Sequence, residues 1–491
     1  MKRRTCLTVP GLLFGIPMGN AIANEKIKWD KTCNVLVFGS GIAGLCAAIS
    51  AKQSLAENVL LFEKGAFLGG HTGMSGAGFC VGGTEIQKKN GIEDSPEINW
   101  KDSVERGIKA NKFIKRDTSA IKRVYEEGPQ TLKWLQSLGV RFVDQPTQAM
   151  GNRKRNHYFY PGYKVGSPVL VKTLASAAEK AGVVIEKNAR LTSLITESPA
   201  IGSRVIGAVV KTKSGEINVR ALNGVILATG GFANNPDLIK RYHPYLMEIP
   251  TYGSKLNTGD GLIAAQELGA NLVLETRELG VNILFIGSHK GQSMGMPLMS
   301  TPIIVVGKDG KRLQDESKGY TGVVKQMVYD KKVLADWIFD KKVYDEFRDT
   351  QLKQLFDTEI VKSYPSIKAL AEGERINYET LEKTISNYNE DVTKGKDREF
   401  GRTVLFQKID TPPYYAFEAG PRFYTTFSGL EINQEGQVID VRGKPIPGLY
   451  AAGDITGLMP MQANLGQAGV SGLTIGATYG RITGKNAASN K

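Results

Sequence analysis

The chain has 491 residues, 41% of them apolar, enough for a buried core and longer than one average domain, so two domains are expected and disorder is excluded. The formal charge is +14, of which Lys2, Arg3 and Arg4 supply three. Such a basic surface can steer an anionic substrate or an acidic redox partner, or simply keep the chain soluble. No basic run interleaved with aromatics suggests nucleic acid.

The first residues read as an address. A basic start is followed by an apolar stretch from Cys6 to Met18, and Ala21-Ile22-Ala23 has the small-x-small form of a cleavage site. The adjacent Arg3-Arg4 predicts a signal peptide over 1–23 of the twin-arginine type, with a Sec signal as the alternative, and a mature chain in the periplasm. No apolar run reaches the length of a membrane span, so no transmembrane anchor is expected in the mature chain. Four cysteines (Cys6, Cys33, Cys46, Cys80) and no C-x-x-C-H motif leave no place for a disulfide framework, covalent haem or an iron–sulfur centre. His71, His157, His243 and His289 lack metal-ligand spacing, so no metal is expected.

From Val35 the chain reads V-L-V-F-G-S-G-I-A-G-L, an apolar strand running into Gly39, Gly41 and Gly44 in G-x-G-x-x-G spacing. A small-residue helix from Ala43 to Ala51 and a second strand, Val59 to Phe62, follow, and the strand ends on Glu63, about 20 residues on. The first glycine permits the tight turn, the second lets backbone approach a pyrophosphate, and the third lets the helix lie on the strand. The helix N-terminus attracts the phosphates, and Glu63 can accept from a ribose. With strand, helix, strand and acid all in place, this is a dinucleotide site.

Lys64 leads into G-A-F-L-G-G-H-T-G-M-S-G-A-G-F, too rich in small residues for helix or strand but suited to lying against a flat ring. Gly70, His71, Thr72, Ser75, Gly76, Ala77 and Gly78 are its candidate cofactor contacts. Helical spacing runs from Trp100 to Leu138. The loop Arg153 to Gly166 carries Tyr158, Tyr160 and Tyr163, a possible aromatic wall. A helix over 168–181, a strand over 183–186, and strands over 191–195, 205–212 and 217–221 are predicted next. A buried strand from Val225 then enters Ala228-Thr229-Gly230-Gly231, and Asn257 and Asp260 flank T-G-D-G at 258–261. From about Glu275 to Tyr388 the character changes to Met- and Gly-rich loops, a strand at 303–306 and helices. This block reads as an inserted cap, or as an ordinary second domain. After the strand Tyr414 to Glu418, G-L-Y-A-A-G-D-I-T-G ends a further strand on Gly453-Asp454, and a Gly-rich helix over 468–488 closes the chain behind Gly469 and Val470. The aspartate can accept from ribityl hydroxyls, and the helix dipole favours negative charge at its N-terminus.

In that order, the fingerprint with Glu63, G-G-H-T-G-M-S-G-A-G, A-T-G-G-F-A and G-L-Y-A-A-G-D-I-T-G resemble the flavoprotein family of fumarate reductases, succinate dehydrogenases, urocanate reductase and 3-ketosteroid Δ1-dehydrogenases. The resemblance spans Asn34 to Ala488 and implies an α/β fold, a Rossmann-like FAD-binding domain (24–274 and 425–491) with an inserted α+β capping domain (275–424). It implies FAD as cofactor, a small unsaturated substrate, and hydride transfer between flavin N5 and a C=C bond polarised by a carbonyl or carboxylate. Electrons would come from a separate c-type cytochrome or a quinol-linked donor. At the position of the family's proton-donating arginine, after G-K-R-L-Q-D-E (310–316), this chain has Tyr320, as the ketosteroid enzymes do. The H-P-T motif is missing near Gly280, the paired histidines are replaced by Tyr424-Thr425, and Q-A-N-L-G-Q-A-G (462–469) lacks the substrate arginine. A dicarboxylate needs cationic clamps, so fumarate is not expected. The candidate catalytic residues are Tyr320 as proton donor, Tyr424 as substrate ligand and Arg422, with Arg277, as anion binder. A 3-ketosteroid Δ1-dehydrogenase-like activity and a flavin-bearing electron carrier are the alternatives. The family has a histidine near the G-G-x-x segment in some members that hold flavin covalently, and His71 sits there.

Overall fold

A computed structural model describes residues 27–109, 118–148, 153–163, 165–274, 282–287, 302–316, 334–349, 360–402, 407–458 and 469–489. The first strand, β1 (Lys31–Phe38), lies parallel to β2 (Val59–Glu63) on one side and to the strand Gly215–Leu227 on the other. Outside these, Val184–Lys187 pairs parallel with β2 and Pro445–Ala451 with Gly215–Leu227. The register sets Phe38 beside Phe62 and Leu227, so parallel strands end together and release Gly39, Glu63, Ala228 and Ala452 along one edge. In an open α/β sheet that edge is where ligands bind.

The helix α1 (Ile42–Gln53) connects β1 to β2, and ten of its twelve residues are buried. It lacks an apolar stripe because it is covered on every side. One cover is the closing helix Gly472–Ser489, which comes so near that a Cβ on Gly480 would sit 2.4 Å from the Ala43 carbonyl oxygen, and one on Gly484 2.2 Å from that of Ala47.

Around the parallel sheet, three stretches differ from the sequence expectation. The Gly-rich run contains a short helix, α2 (Gly70–Met74), and a strand, β3 (Gly78–Cys80) paired with Asn156–Tyr158. The segment is pinned from outside rather than by its own propensity, since Thr72 Oγ1 accepts from Ile42 N at 2.9 Å and Ser75 Oγ shares a hydrogen with Ser167 at 2.7 Å. The two strands expected at 217–221 and 225–227 are one, Gly215–Leu227, with a register shift opposite Cys33–Val35 absorbing Leu222-Asn223. The closing helix begins at Gly472, behind Gly469 and Val470.

A second, antiparallel sheet is built from Asn282–Gly287, Tyr414–Thr425, Ala335–Asp340 and Ile304–Val306, with Lys362–Tyr364 also on Tyr414–Thr425. Ala335–Asp340 and Lys362–Tyr364 were not anticipated as strands. All its strands fall between 282 and 425, and helices Ile367–Glu374 and Tyr378–Lys394 pack beside it, which is the inserted cap with its α+β character. A buried ionic knot fastens it. Arg312 grips Glu316 (2.8 Å) and Asp397 (3.0 Å), its guanidinium lies 4.9 Å over the Tyr388 ring, and Arg402 adds a 3.1 Å bond to Glu316. Among the described residues no helix is long and apolar enough to cross a membrane.

Candidate active site

Above the carboxyl edge of the parallel sheet lies a cleft of about 380 Å³ that runs from Glu63 to Asp454 and Tyr424. At one end the turn after β1 has Gly39 at φ +102°, and a Cβ there would lie 2.2 Å from the Ala228 carbonyl oxygen. Gly44 does not line the cleft; its Cβ would stand 1.8 Å from Gly39 O, so it sets the closeness of α1 to the strand. Gly41 caps α1 with no side chain of its own; Thr72 takes the Ile42 N–H, and the helix-terminal N–H groups after it remain for a phosphate. Nothing lies within 4 Å of a Cβ built on Gly70 or Gly73, so the backbone there is open to close approach.

Glu63 is buried and fixed by three donors: Ser40 N (3.1 Å) and Ser40 Oγ (2.6 Å) on one oxygen, Gly65 N (2.7 Å) on the other. A carboxylate has about four acceptor sites, so about one remains for a ribose hydroxyl. Beside it Lys64 bonds Thr258 Oγ1 (2.7 Å) and Asp260 (2.9 Å), and Arg190 reaches Asp260 at 2.8 Å. Burial alone would raise the Asp260 pKa, but Arg190 and Lys64 hold its carboxyl below the usual range.

At the far end four chain segments meet on His71. Its Nε2 accepts from Ser254 N at 2.8 Å, which assigns the ring proton to Nδ1, 3.5 Å from Asp454 Oδ2. The imidazole stacks on the Tyr424 ring (4.4 Å, 20°), and the Tyr424 hydroxyl donates to the His71 carbonyl oxygen at 2.8 Å. Burial pushes the Tyr424 phenol above its ordinary pKa. The phenol is thus engaged with backbone rather than directed at a substrate. Thr425 donates to Asp454 at 3.3 Å.

Of the expected cofactor residues, Gly39, Gly41, Ala43, Glu63, Lys64, Gly70, His71, Thr72, Ser75, Gly76 and Gly78 line the cleft, as do Ala228, Thr229, Gly230, Asn257, Asp260, Gly453 and Asp454. Five others, Gly44, Ala77, Gly231, Gly469 and Val470, do not. Ala77 is fully buried at φ +62° with its carbonyl taken by Phe159 N; Gly231 faces Thr426 Oγ1; Gly469 turns toward Tyr125 and Asn99; and Val470 is buried. Arg422 stands on Tyr414–Thr425 outside the cleft lining, and partial burial lowers its pKa. Tyr158 and Tyr163 line the cleft with their rings edge to face at 6.0 Å, whereas Tyr160 points away to the surface. Tyr320 and Arg277 lie outside the described residues. Sequence reasoning missed Ser40, Arg190, Tyr252, Ser254 and Ser471. Two carried a local signal: Ser40 is the one polar residue between the first glycines, and Ser471 precedes the closing helix as an N-cap type.

A dinucleotide fits this cleft. The turn and helix terminus suit a pyrophosphate, Glu63 has an acceptor site to spare, and Thr229 Oγ1, buried without a partner, faces the same space. The first turn of Gly472–Ser489 lines the opposite end through Gly472 and Leu473. The family model for the FAD binding domain matches residues 34–470. The chain belongs to the FAD-binding family of fumarate reductase-like flavoproteins. It is 29% identical to a probable fumarate reductase, Ifc3, of Shewanella frigidimarina, over 96% of this chain and 81% of that one. The open conformation of a flavocytochrome c3 fumarate reductase superposes with a TM-score of 0.78 at 29% identity, covering 94% of this chain and 79% of that. A 3-ketosteroid-Δ4-(5α)-dehydrogenase from Rhodococcus jostii gives 0.74 at 27% identity, covering 94% and 98%. The cofactor is FAD, and the chain is an FAD-dependent oxidoreductase of the class that acts on carbon–carbon double bonds.

Proposed function

We propose that this flavoprotein is exported to the periplasm by its 1–23 signal and reduces the C=C bond of an α,β-unsaturated carboxylate or ketone, taking electrons from a separate cytochrome or quinol-linked partner. Its domains are then 24–274 with 425–491 for FAD and 275–424 for the cap. One observation carries the reading: Tyr414–Thr425 belongs to the second sheet for most of its length, yet delivers Tyr424 and Thr425 into the cleft. Lid and cofactor site are therefore one continuous piece of chain.

Bound FAD supplies the hydride chemistry. The chain's residues do the rest. Glu63 and the glycine turn hold the nucleotide, and the Tyr424–His71 contact fixes the floor at the far end. The Arg312–Glu316–Asp397 knot secures the stretch that leads to Tyr320. Tyr320 delivers a proton to the carbon next to the substrate carbonyl. A phenol with a pKa near 10 remains protonated at neutral pH and acts as an acid without tuning. Among the described residues lining the cleft, Lys64 and His71 are the basic ones, and Lys64 is held by Asp260. Two carboxylates would lack clamps there, which favours an enone or a monocarboxylate. The ketosteroid-like reading, run in the oxidative direction, is favoured by the same tyrosine and by the Rhodococcus structure.

Anaerobic oxidation of reduced methyl viologen by FAD-replete protein, over acrylate, fumarate, urocanate, aryl enones and a 3-ketosteroid enone, tests the reading. Turnover on an enoate or enone is expected, and Tyr320→Phe should lower it by about 10²- to 10⁴-fold with FAD retained. No turnover on any of them would refute it. Turnover only of a saturated 3-ketosteroid with an artificial acceptor would transfer the assignment to the oxidative reading.

A further inference from the structure

One wall of the cleft has an outer face that the reaction does not use. Between Asp144 and Glu179 the sequence contains no acid but five bases, Arg153, Lys154, Arg155, Lys164 and Lys172. Arg155 is spent internally on Asp94 and Asp102, and Arg153 on Asp102. Lys154 and Lys172 remain exposed, as does Arg141, whose guanidinium lies 4.0 Å over the Tyr160 ring. Among the described residues none of these three forms an ion pair. Exposed apolar side chains accompany them: Tyr160 is 44% exposed, Val165 60% and Val169 43%. Val165 and Val169 fall on the helix face of Lys172, and the helix starts against Phe159, where a Cβ on Gly166 would lie 2.1 Å from the Phe159 carbonyl oxygen. Contiguous exposed apolar side chains with a charged rim mark a protein-docking surface. The patch also abuts the cleft. Tyr158 lines it, and Tyr160 follows two residues later, in the turn past the end of that strand.

We infer that this basic, apolar face is the landing site for an acidic one-electron carrier protein, which passes electrons through the Tyr158 wall to the flavin. The inference rests on the separate-donor part of the proposed function. The carrier's opposite charge supplies the steering, and Tyr160, Val165 and Val169 supply a small contact area of the kind that transient redox encounters use. Two oxidations of a reduced carrier deliver the electron pair that FAD accepts, with protons taken from water, and the carrier leaves oxidised.

The test needs no organic substrate. Holoprotein is mixed in a stopped-flow cell with a pre-reduced, desalted, acidic c-type cytochrome, and separately with reduced methyl viologen; flavin bleaching and haem oxidation are followed. In wild type the cytochrome rate should fall steeply between about 20 mM and 0.3 M salt. The Arg141→Glu/Lys154→Glu/Lys172→Glu variant should lose about tenfold or more of it at low salt, with the viologen rate changed by less than about twofold. Should the triple reversal fail to retain FAD, the Gln substitutions at the same three positions provide the milder arm, with an expected loss of about threefold. Tyr160→Ser with Val165→Ser should lower the rate at both salt concentrations. A variant as fast as wild type with the cytochrome, or a wild-type rate indifferent to salt, overturns the inference. Absence of enone turnover with viologen would sink the ene-reductase reading alone, since bleaching by the cytochrome is scored without any enone.

Discussion

Replacing Tyr424 by phenylalanine separates a positioning phenol from a proton donor. The hydroxyl makes one 2.8 Å bond to the His71 carbonyl, and the ring stack at 4.4 Å would survive the substitution. What is lost is one neutral hydrogen bond, with a half-buried carbonyl left unpaired, about 1–2 kcal/mol. At about 2.1 cal/mol/K per residue, a chain of this length unfolds with an entropy near 1 kcal/mol/K, so the melting temperature should fall only about 1–2 °C. FAD should bind several-fold more weakly, because α2 loses its tie to the cap-side strand. The ene-reduction rate at saturating FAD should fall less than about tenfold. Removal of a general acid costs about 10²–10⁴ in rate. Differential scanning calorimetry, flavin fluorescence titration and viologen-coupled turnover read the three quantities. A loss of a hundredfold or more in turnover, with flavin affinity and melting unchanged, would refute the positioning reading.

Glu63→Ala strands Ser40 N, Ser40 Oγ and Gly65 N in a buried site and removes the ribose acceptor, so FAD affinity should drop by at least about tenfold, measured by equilibrium dialysis. Arg312→Leu leaves Asp397 buried without its cation and Glu316 with Arg402 alone; breaking such a pair costs about 3–5 kcal/mol, and limited proteolysis should open the cap while the FAD domain stays resistant. Burial pushes His157 and His243 down to about 4, well under their unfolded value near 6.5. The unfolded chain therefore binds the extra protons, and stability present above pH 6.5 is lost as pH falls toward 4, up to about 3 kcal/mol for each ring. A urea-melt series over that window checks this, and His157→Gln should flatten its slope.

The nucleotide half of the site was legible because its requirements are local. A strand, a turn that only glycine satisfies at φ +102°, a helix of small residues and an acid fall within thirty positions. The second half was legible by motif but not in geometry. Gly469 and Val470 were expected at the cofactor, yet the closing helix starts at Gly472 rather than at 468, and both residues turn inward. The short helix α2 was invisible, since four glycines in eight residues (69–76) argue against one; contacts with Ile42 and Ser254 make it. The bond between Tyr424 and His71 joins residues 353 positions apart, and no periodicity encodes that separation. The strand Ala335–Asp340 carries aspartates at 336 and 340 on a run buried on both faces, which disguised it. Lys308 pairs with the first, and the second caps the helix that follows.

The packing of Gly472–Ser489 onto α1 has a consequence for biosynthesis. The first helix leaves the ribosome with nearly all its surface apolar, and its cover is translated about 430 residues later, roughly 20 to 90 s at 5–20 residues per second. During that interval a nascent chain shows a sticky, unfinished nucleotide fold to chaperones and proteases. Cofactor loading thus becomes a checkpoint passed only by a fully translated polypeptide.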